Sequence, residues 1–183
     1  MSEGTASDFA AAGSAAANPA AADFAVAMEE LQRLIDEEAR ATYSPQVIQE
    51  ASHPQNVGRM EDPDGAAIVR GPCGDTMEIC LRVQDGRISE STFMTDGCGP
   101  TVACGSLLTS MARGMSLQAA WEILADDLLA ALGGLPSENE HCAHLAVNTL
   151  HEALAGYQRR SKTLQTVEEV SRRAGDLMRR GYS

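Results

Sequence analysis

The chain runs to 183 residues with a formal charge of −12 and 44% hydrophobic residues, which suits one domain with a core of its own. That acid excess excludes nucleic acid as a partner, because phosphates need a basic face, and no apolar run approaches the roughly 18 residues of a membrane span. No basic residue precedes Arg33, so neither a secretory signal nor an Arg-rich transit peptide is expected; the chain reads as cytoplasmic and its five cysteines as thiols rather than disulfides.

Residues 1–22 are almost all Ala, Gly, Ser, Asn and Pro, a composition that cannot pack a core and reads as disordered. Phe24 to Ala41 then reads as a helix with Phe24, Met28, Leu31 and Ile35 on one stripe, either a docking or frayed extension or a partner-recognition element. Residues 1–42 thus form an Ala-rich extension, followed by a core domain over 43–160 and an amphipathic helical tail over 161–183. Ser44-Pro45 predicts a capped helix through Val47 and Ile48 that ends near His53-Pro54. Gln55 to Arg59 and Asp62 to Gly65 read as polar turns, and Ala67 to Arg70 as a short strand.

Met77, Ile79, Leu81 and Val83 alternate with Glu78, Cys80 and Arg82, the period of a strand buried on one face. Asp85-Gly86 signals a tight hairpin into a second strand, Ile88 to Thr95, and three antiparallel strands make the sheet. Because a hairpin folds back on itself, its outer ends, Cys73-Gly74-Asp75 and Gly97-Cys98-Gly99, become neighbours. Pro100 predicts a helix capped by Cys98 or Gly99, buried through Val102, Leu107, Leu108 and Met111 and ended by Arg113-Gly114. Ser116 caps a helix that carries Trp121 into the core, and Ala125 to Leu132 forms another, closed by Gly133-Gly134. Ser137 and Glu140 fit a capping box, which places His141 and Cys142 at the start of a helix buried through Ala143, Ala146, Leu150, Leu154 and Tyr157. The tail from Ser161 carries Val167, Val170 and Leu177.

The candidate ligands are therefore Cys73, Asp75, Cys98, His141 and Cys142. Cys98 and Cys142 stand at helix N-termini, where the macrodipole and free N–H groups favour an anion and are expected to lower a thiol pKa. Three soft thiolates suit zinc, copper(I) or an iron–sulfur cluster. A carboxylate is a hard ligand for a cluster that usually takes four thiolates, so a site with three Cys and Asp75 suits a cluster that must leave, and His141 offers a ligand that can swap in. With zinc, the same set closes a four-coordinate site. Cys80 reads as incidental on the polar face of its strand, Cys104 as a small packing residue, and His53, His144 and His151 as lacking an evident partner.

Tyr43-Ser44, Pro54-Gln55-Asn56-Val57-Gly58, Cys73-Gly74-Asp75, Gly97-Cys98-Gly99 and His141-Cys142-Ala143-His144-Leu145-Ala146 occur in one order over Tyr43 to Tyr157. On these motifs the chain resembles the U-type iron–sulfur cluster assembly scaffolds, the IscU and NifU N-terminal family. The resemblance implies an α+β fold, a small three-stranded antiparallel sheet packed against several helices, with N- and C-terminal extensions. It implies a scaffold rather than an enzyme, one that builds a [2Fe–2S] or [4Fe–4S] cluster from iron, electrons and desulfurase-derived sulfur. By resemblance Cys73, Asp75, Cys98 and Cys142 bind the cluster, Asp75 being the labile ligand that promotes release. His141 is an alternative metal ligand, often on zinc, and Cys142 accepts persulfide sulfur. The implied partners are a cysteine desulfurase, apo acceptor proteins and a ferredoxin or iron donor, and Tyr43 matches a tyrosine used for homodimer formation in some members. The alternative is a zinc-bound sulfur relay that stimulates a desulfurase through a Cys142 persulfide.

The chain departs from the family in three places. Leu135-Pro136-Ser137-Glu138-Asn139 stands where many members carry Leu-Pro-Pro-Val-Lys for a dedicated Hsp70-type chaperone, Asp96 replaces an aromatic residue, and Cys104 replaces a serine. The short step from Cys98 to Cys142 lacks the insertion of the SufU branch.

Overall fold

The computed structural model describes residues 19–180, with side chains over 23–173. The stretch read as disordered lies outside the described residues up to position 18, whereas Pro19 to Ala22 already belong to a helix, α1 (Pro19–Thr42). Up to Glu38 this helix forms a unit of its own. Its predicted stripe is exposed: Phe24, Met28, Leu31 and Ile35 keep 47% to 67% of their surface. On its polar side Arg33 reaches both Glu30 and Glu37 at 2.6 Å, exposed pairs that each contribute less than about 1 kcal/mol.

The unit from Ala39 onward carries the core. Helix α2 (Pro45–Ser52) begins as the sequence predicts, with the Ser44 hydroxyl accepting from Val47 N at 3.1 Å and Pro45 in the first turn. Strands β1 (Gly65–Arg70), β2 (Thr76–Gln84) and β3 (Arg87–Thr95) form an antiparallel sheet in that order. Asp85 and Gly86 both take positive φ, 50° and 73°, as a type I′ turn requires, and Gln84 pairs with Arg87 across it. The inward side chains Met77, Ile79, Leu81, Ile88 and Phe93 are all buried. A bulge between Arg82 and Val83 breaks the alternation and leaves Val83 half-buried.

Helix α3 (Gly99–Ala112) runs under β3, with Phe93 against Gly105. Its buried surface is wider than the predicted stripe. Thr101, Ala103, Cys104, Gly105, Ser106, Leu108, Thr109 and Ala112 are enclosed, because small residues let neighbours approach from several sides, while Val102, Leu107 and Met111 are only partly covered. Helices α4 (Leu117–Trp121) and α5 (Ala125–Leu132) follow. Trp121 is half-buried rather than central and stacks on His151, their rings 4.9 Å apart, so that His151 has the partner its sequence context did not reveal.

Helix α6 (Glu140–Arg180) is continuous through Ser161, and its first half packs Ala143, Ala146, Leu150 and Leu154 against β1 and β2. The predicted capping box is not formed. Ser137 Oγ lies 3.4 Å from Glu138 Oε2, and a turn with Asn139 N donating to Pro136 O (2.7 Å) leads into the helix instead. The sheet's other face is partly covered too. The loop after α2 pairs with the outer edge of β3, Gly58 N donating to Phe93 O at 2.9 Å and Phe93 N to Asn56 O at 3.0 Å. Arg59 then reaches Glu78 at 3.1 Å, and Cys80, read as incidental on a polar face, is buried at 3% exposure.

The two halves of α6 differ in what they support. Leu150 is fully enclosed, whereas Leu164 is 56% exposed. We expect Leu150→Ala to cost ~2–5 kcal/mol in urea unfolding, and Leu164→Ala to change stability by less than about 0.5 kcal/mol.

Candidate functional site

The site lies where the open end of the hairpin meets the first turns of α3 and α6. Two contacts close the hairpin end: Asp96 Oδ1 accepts from Thr76 N at 2.6 Å, and Thr95 Oγ1 donates to Thr76 O at 2.7 Å. The preceding turn closes on itself, with Gly71 N donating to Asp75 O (2.8 Å) and Arg70 Nε to Gly74 O (3.1 Å). Asp96, one of the departures from the family pattern, thus fastens the residue next to Asp75. Gly97 permits the close approach that follows. A Cβ there would meet Asp75 Oδ2 at 2.6 Å and the Thr101 side chain at 2.7 Å, so only a residue without one lets these groups converge.

Thr101 is the centre of the cluster, and sequence reasoning missed it. Its side chain is fully buried, and its Oγ1 lies 3.1 Å from Asp75 Oδ2, 3.3 Å from Cys142 Sγ and 3.5 Å from Cys98 Sγ. Three of the predicted ligands therefore surround one hydroxyl. Helical spacing from Cys98, three residues earlier on the same face, was the available signal. His141 Nε2 lies 3.6 Å from Cys142 Sγ. Cys73 is exposed on its turn, near enough for its charge to act on Cys142. Cys98 caps α3 in extended backbone conformation and is exposed, and Cys142 is buried in the first turn of α6. Among the described residues, no three Cys, His, Asp or Glu side chains stand close enough to cage an ion as they are. The donors are grouped around Thr101, and ligation requires side chains to turn toward one another.

The expectation of a lowered thiol pKa fails at Cys142. Burial pushes it up to about 11, and the neighbouring Cys98 and Cys73 add to the rise. Its backbone N–H is also committed, donating to Asn139 O at 3.0 Å, so the helix start does not offer this sulfur a free donor. Cys104 is raised further by deeper burial, with Cys142 and Cys98 nearby, and serves as packing. Tyr43 Oη donates to Asn139 Oδ1 at 3.2 Å and braces the entry to α6; its pKa is raised by burial and by the charges of Cys98, Glu138 and Cys142. Chemically, the donor set of three thiols, a carboxylate and an imidazole suits a soft or borderline metal, and metal binding would displace the Cys142 proton.

The sequence matches the NifU-like N terminal domain family over residues 42–164. It is 39% identical over 129 residues to the Archaeoglobus fulgidus "Iron-sulfur cluster assembly scaffold protein IscU 1", covering 70% of this chain and 84% of that one. It is 37% identical over 121 residues to the "Iron-sulfur cluster assembly scaffold protein IscU" of Escherichia coli K12, covering 63% and 94% respectively. Among solved structures, the N-terminal part of a nitrogen-fixing NifU-like protein from Brucella abortus superposes with a TM-score of 0.51 at 18% identity, over 63% of this chain and 94% of that one, a likeness of fold.

Two outcomes test this site in the metal-free protein. Alkylation followed by mass spectrometry should label exposed Cys73 and Cys98 first and buried Cys80, Cys104 and Cys142 last. The fold holds the Cys142 proton up to about pH 11 against an ordinary 9.0, so unfolding releases it. The contribution of Cys142 to stability is therefore fully present below pH 9 and is lost as pH rises through 11, so thermal melts should fall across that range.

Proposed function

The chain belongs to the NifU-like N-terminal domain family, and from that premise we propose how this scaffold for iron–sulfur cluster assembly works. Residues 43–160 form the scaffold domain, flanked by the extension over 1–42 and the tail over 161–183. The cluster is its cargo: built on Cys73, Asp75, Cys98 and Cys142, then passed to apo acceptor proteins. The observation that supports this most is the convergence of Asp75, Cys98 and Cys142 on Thr101, with His141 beside Cys142.

Iron enters a group of thiols whose protons it displaces, Cys142 included. Sulfur arrives as the outer atom of a persulfide on a cysteine desulfurase. The Cys142 thiolate attacks that atom, and the desulfurase thiolate leaves. Two electrons per sulfur then yield sulfide, supplied by a ferredoxin or another donor. Asp75 is the hard member of the ligand set and so the weakest bond to a cluster, the one that opens first during transfer. His141 takes the open position, or completes a zinc site in the absence of iron. No helix among the described residues is long and apolar enough to cross a membrane, and we place the work of this scaffold in the cytoplasm.

Anaerobic incubation with ferrous iron, cysteine and a desulfurase should develop the visible absorption of a cluster. That absorption should be lost in Cys98→Ala and Cys142→Ala. Asp75→Ala should hold its cluster longer, with transfer to an apo-ferredoxin slowed roughly tenfold, the factor that corresponds to ~1.4 kcal/mol in one ligand bond. A protein that carries one zinc, develops no chromophore and still accepts persulfide on Cys142 would instead be a sulfur relay.

A further inference from the structure

We propose that Thr101 is a positioning residue for cluster release: its hydroxyl holds the Asp75 carboxylate beside the Cys98 and Cys142 sulfurs, and Asp75 acts only while so held. The inference rests on the scaffold reading of the same site and assigns a residue to its release step.

A hydroxyl has one proton, yet three polar groups surround Thr101 Oγ1, with Asp75 Oδ2 the shortest contact at 3.1 Å. The carboxylate competes best for that proton, because an O–H bond to an ionised oxygen is stronger than one to a thiol. Its other oxygen, Oδ1, is then left for metal. The hydroxyl's place in the helix explains why it is available. Thr109, Thr149, Thr163 and Thr166 return their hydroxyls to the carbonyl four residues earlier in their own helices, at 2.7, 2.7, 3.0 and 2.9 Å. Thr101 sits in the first turn of α3, where the residue four earlier, Gly97, lies outside the helix, so no such carbonyl competes. Its orientation is also fixed. Cβ and Cγ2 fill the space that a side chain at position 97 would need, and the hydroxyl faces the ligands. No other hydrogen bond to the Asp75 side chain accompanies this one among the described residues, so loss of the hydroxyl frees the carboxylate to swing into solvent.

Thr101→Val keeps the β-branched shape and removes the hydroxyl, while Thr101→Ser keeps the hydroxyl. Loaded anaerobically, T101V should transfer its cluster to an apo-ferredoxin roughly tenfold more slowly than wild type, as a carboxylate released from a charge-assisted contact would dictate. Its visible circular dichroism should approach that of D75A, and T101S should transfer at close to the wild-type rate. The decisive comparison is the double variant. If Thr101 works through Asp75, T101V/D75A transfers no more slowly than D75A alone. Matching melting temperatures in the metal-free single variants exclude misfolding as the cause. A wild-type chain that assembles no cluster overturns the scaffold reading itself. A wild type that does assemble one overturns the present inference alone if T101V transfers as fast, or if the two substitutions slow transfer by multiplying factors.

Discussion

The two contacts that tie Thr76 to Asp96 and to Thr95 are the constraint on which the site depends. They close the open end of the β2–β3 hairpin, so that the turn carrying Cys73 and Asp75 is fastened to the turn carrying Cys98. The distance along the chain between these residues is spent on two strands whose inward faces build the core, and the strands return the ends to one place. Helix α3 then starts at Cys98 because Pro100 suits a first turn and Gly97 allows the backbone to pass under Asp75. The third sulfur comes from α6, which is held there by Leu150 and Leu154 against the sheet and by Tyr43 on Asn139. Site and core therefore share their supports.

Much of this was legible from residue types with few conformational options. Asp85-Gly86 could hardly be anything but a hairpin turn, Ser44-Pro45 names a helix start, and alternation over Met77 to Leu81 states which face is inside. What stayed hidden depends on contacts between distant segments. Cys80 has polar neighbours in sequence, but the Gln55–Met60 loop lies over it, and nothing local predicts that a loop will return to cover a strand. Ser137 and Glu140 satisfy a capping pattern, yet the turn from Pro136 shifts the helix start and leaves the box unmade. Thr101 looked like an ordinary helical residue; only the meeting of hairpin end and α6 gives its hydroxyl three partners.

The electrostatics of Cys142 show a further limit of reading by position. A helix start favours a thiolate only when its N–H groups and solvent are available. Here the N–H is occupied and the sulfur buried, so desolvation wins and the metal-free site keeps its proton. This suits a scaffold. A protonated, enclosed thiol is shielded while the site is without metal, and becomes a ligand when a cation offsets the cost of its charge. Cys73 and Cys98, by contrast, are exposed, where incoming iron can reach them. On the reading proposed above, the same site binds with soft, enclosed sulfur and releases through one hard oxygen.

The central claim is that these elements converge on one cluster. Crystals of the anaerobically loaded protein, measured on both sides of the iron absorption edge, test it most directly. The account predicts a single anomalous peak group bonded to Cys73, Asp75, Cys98 and Cys142 and adjoining the Thr101 hydroxyl. Iron bound elsewhere, or iron held without Cys98 and Cys142, would contradict it.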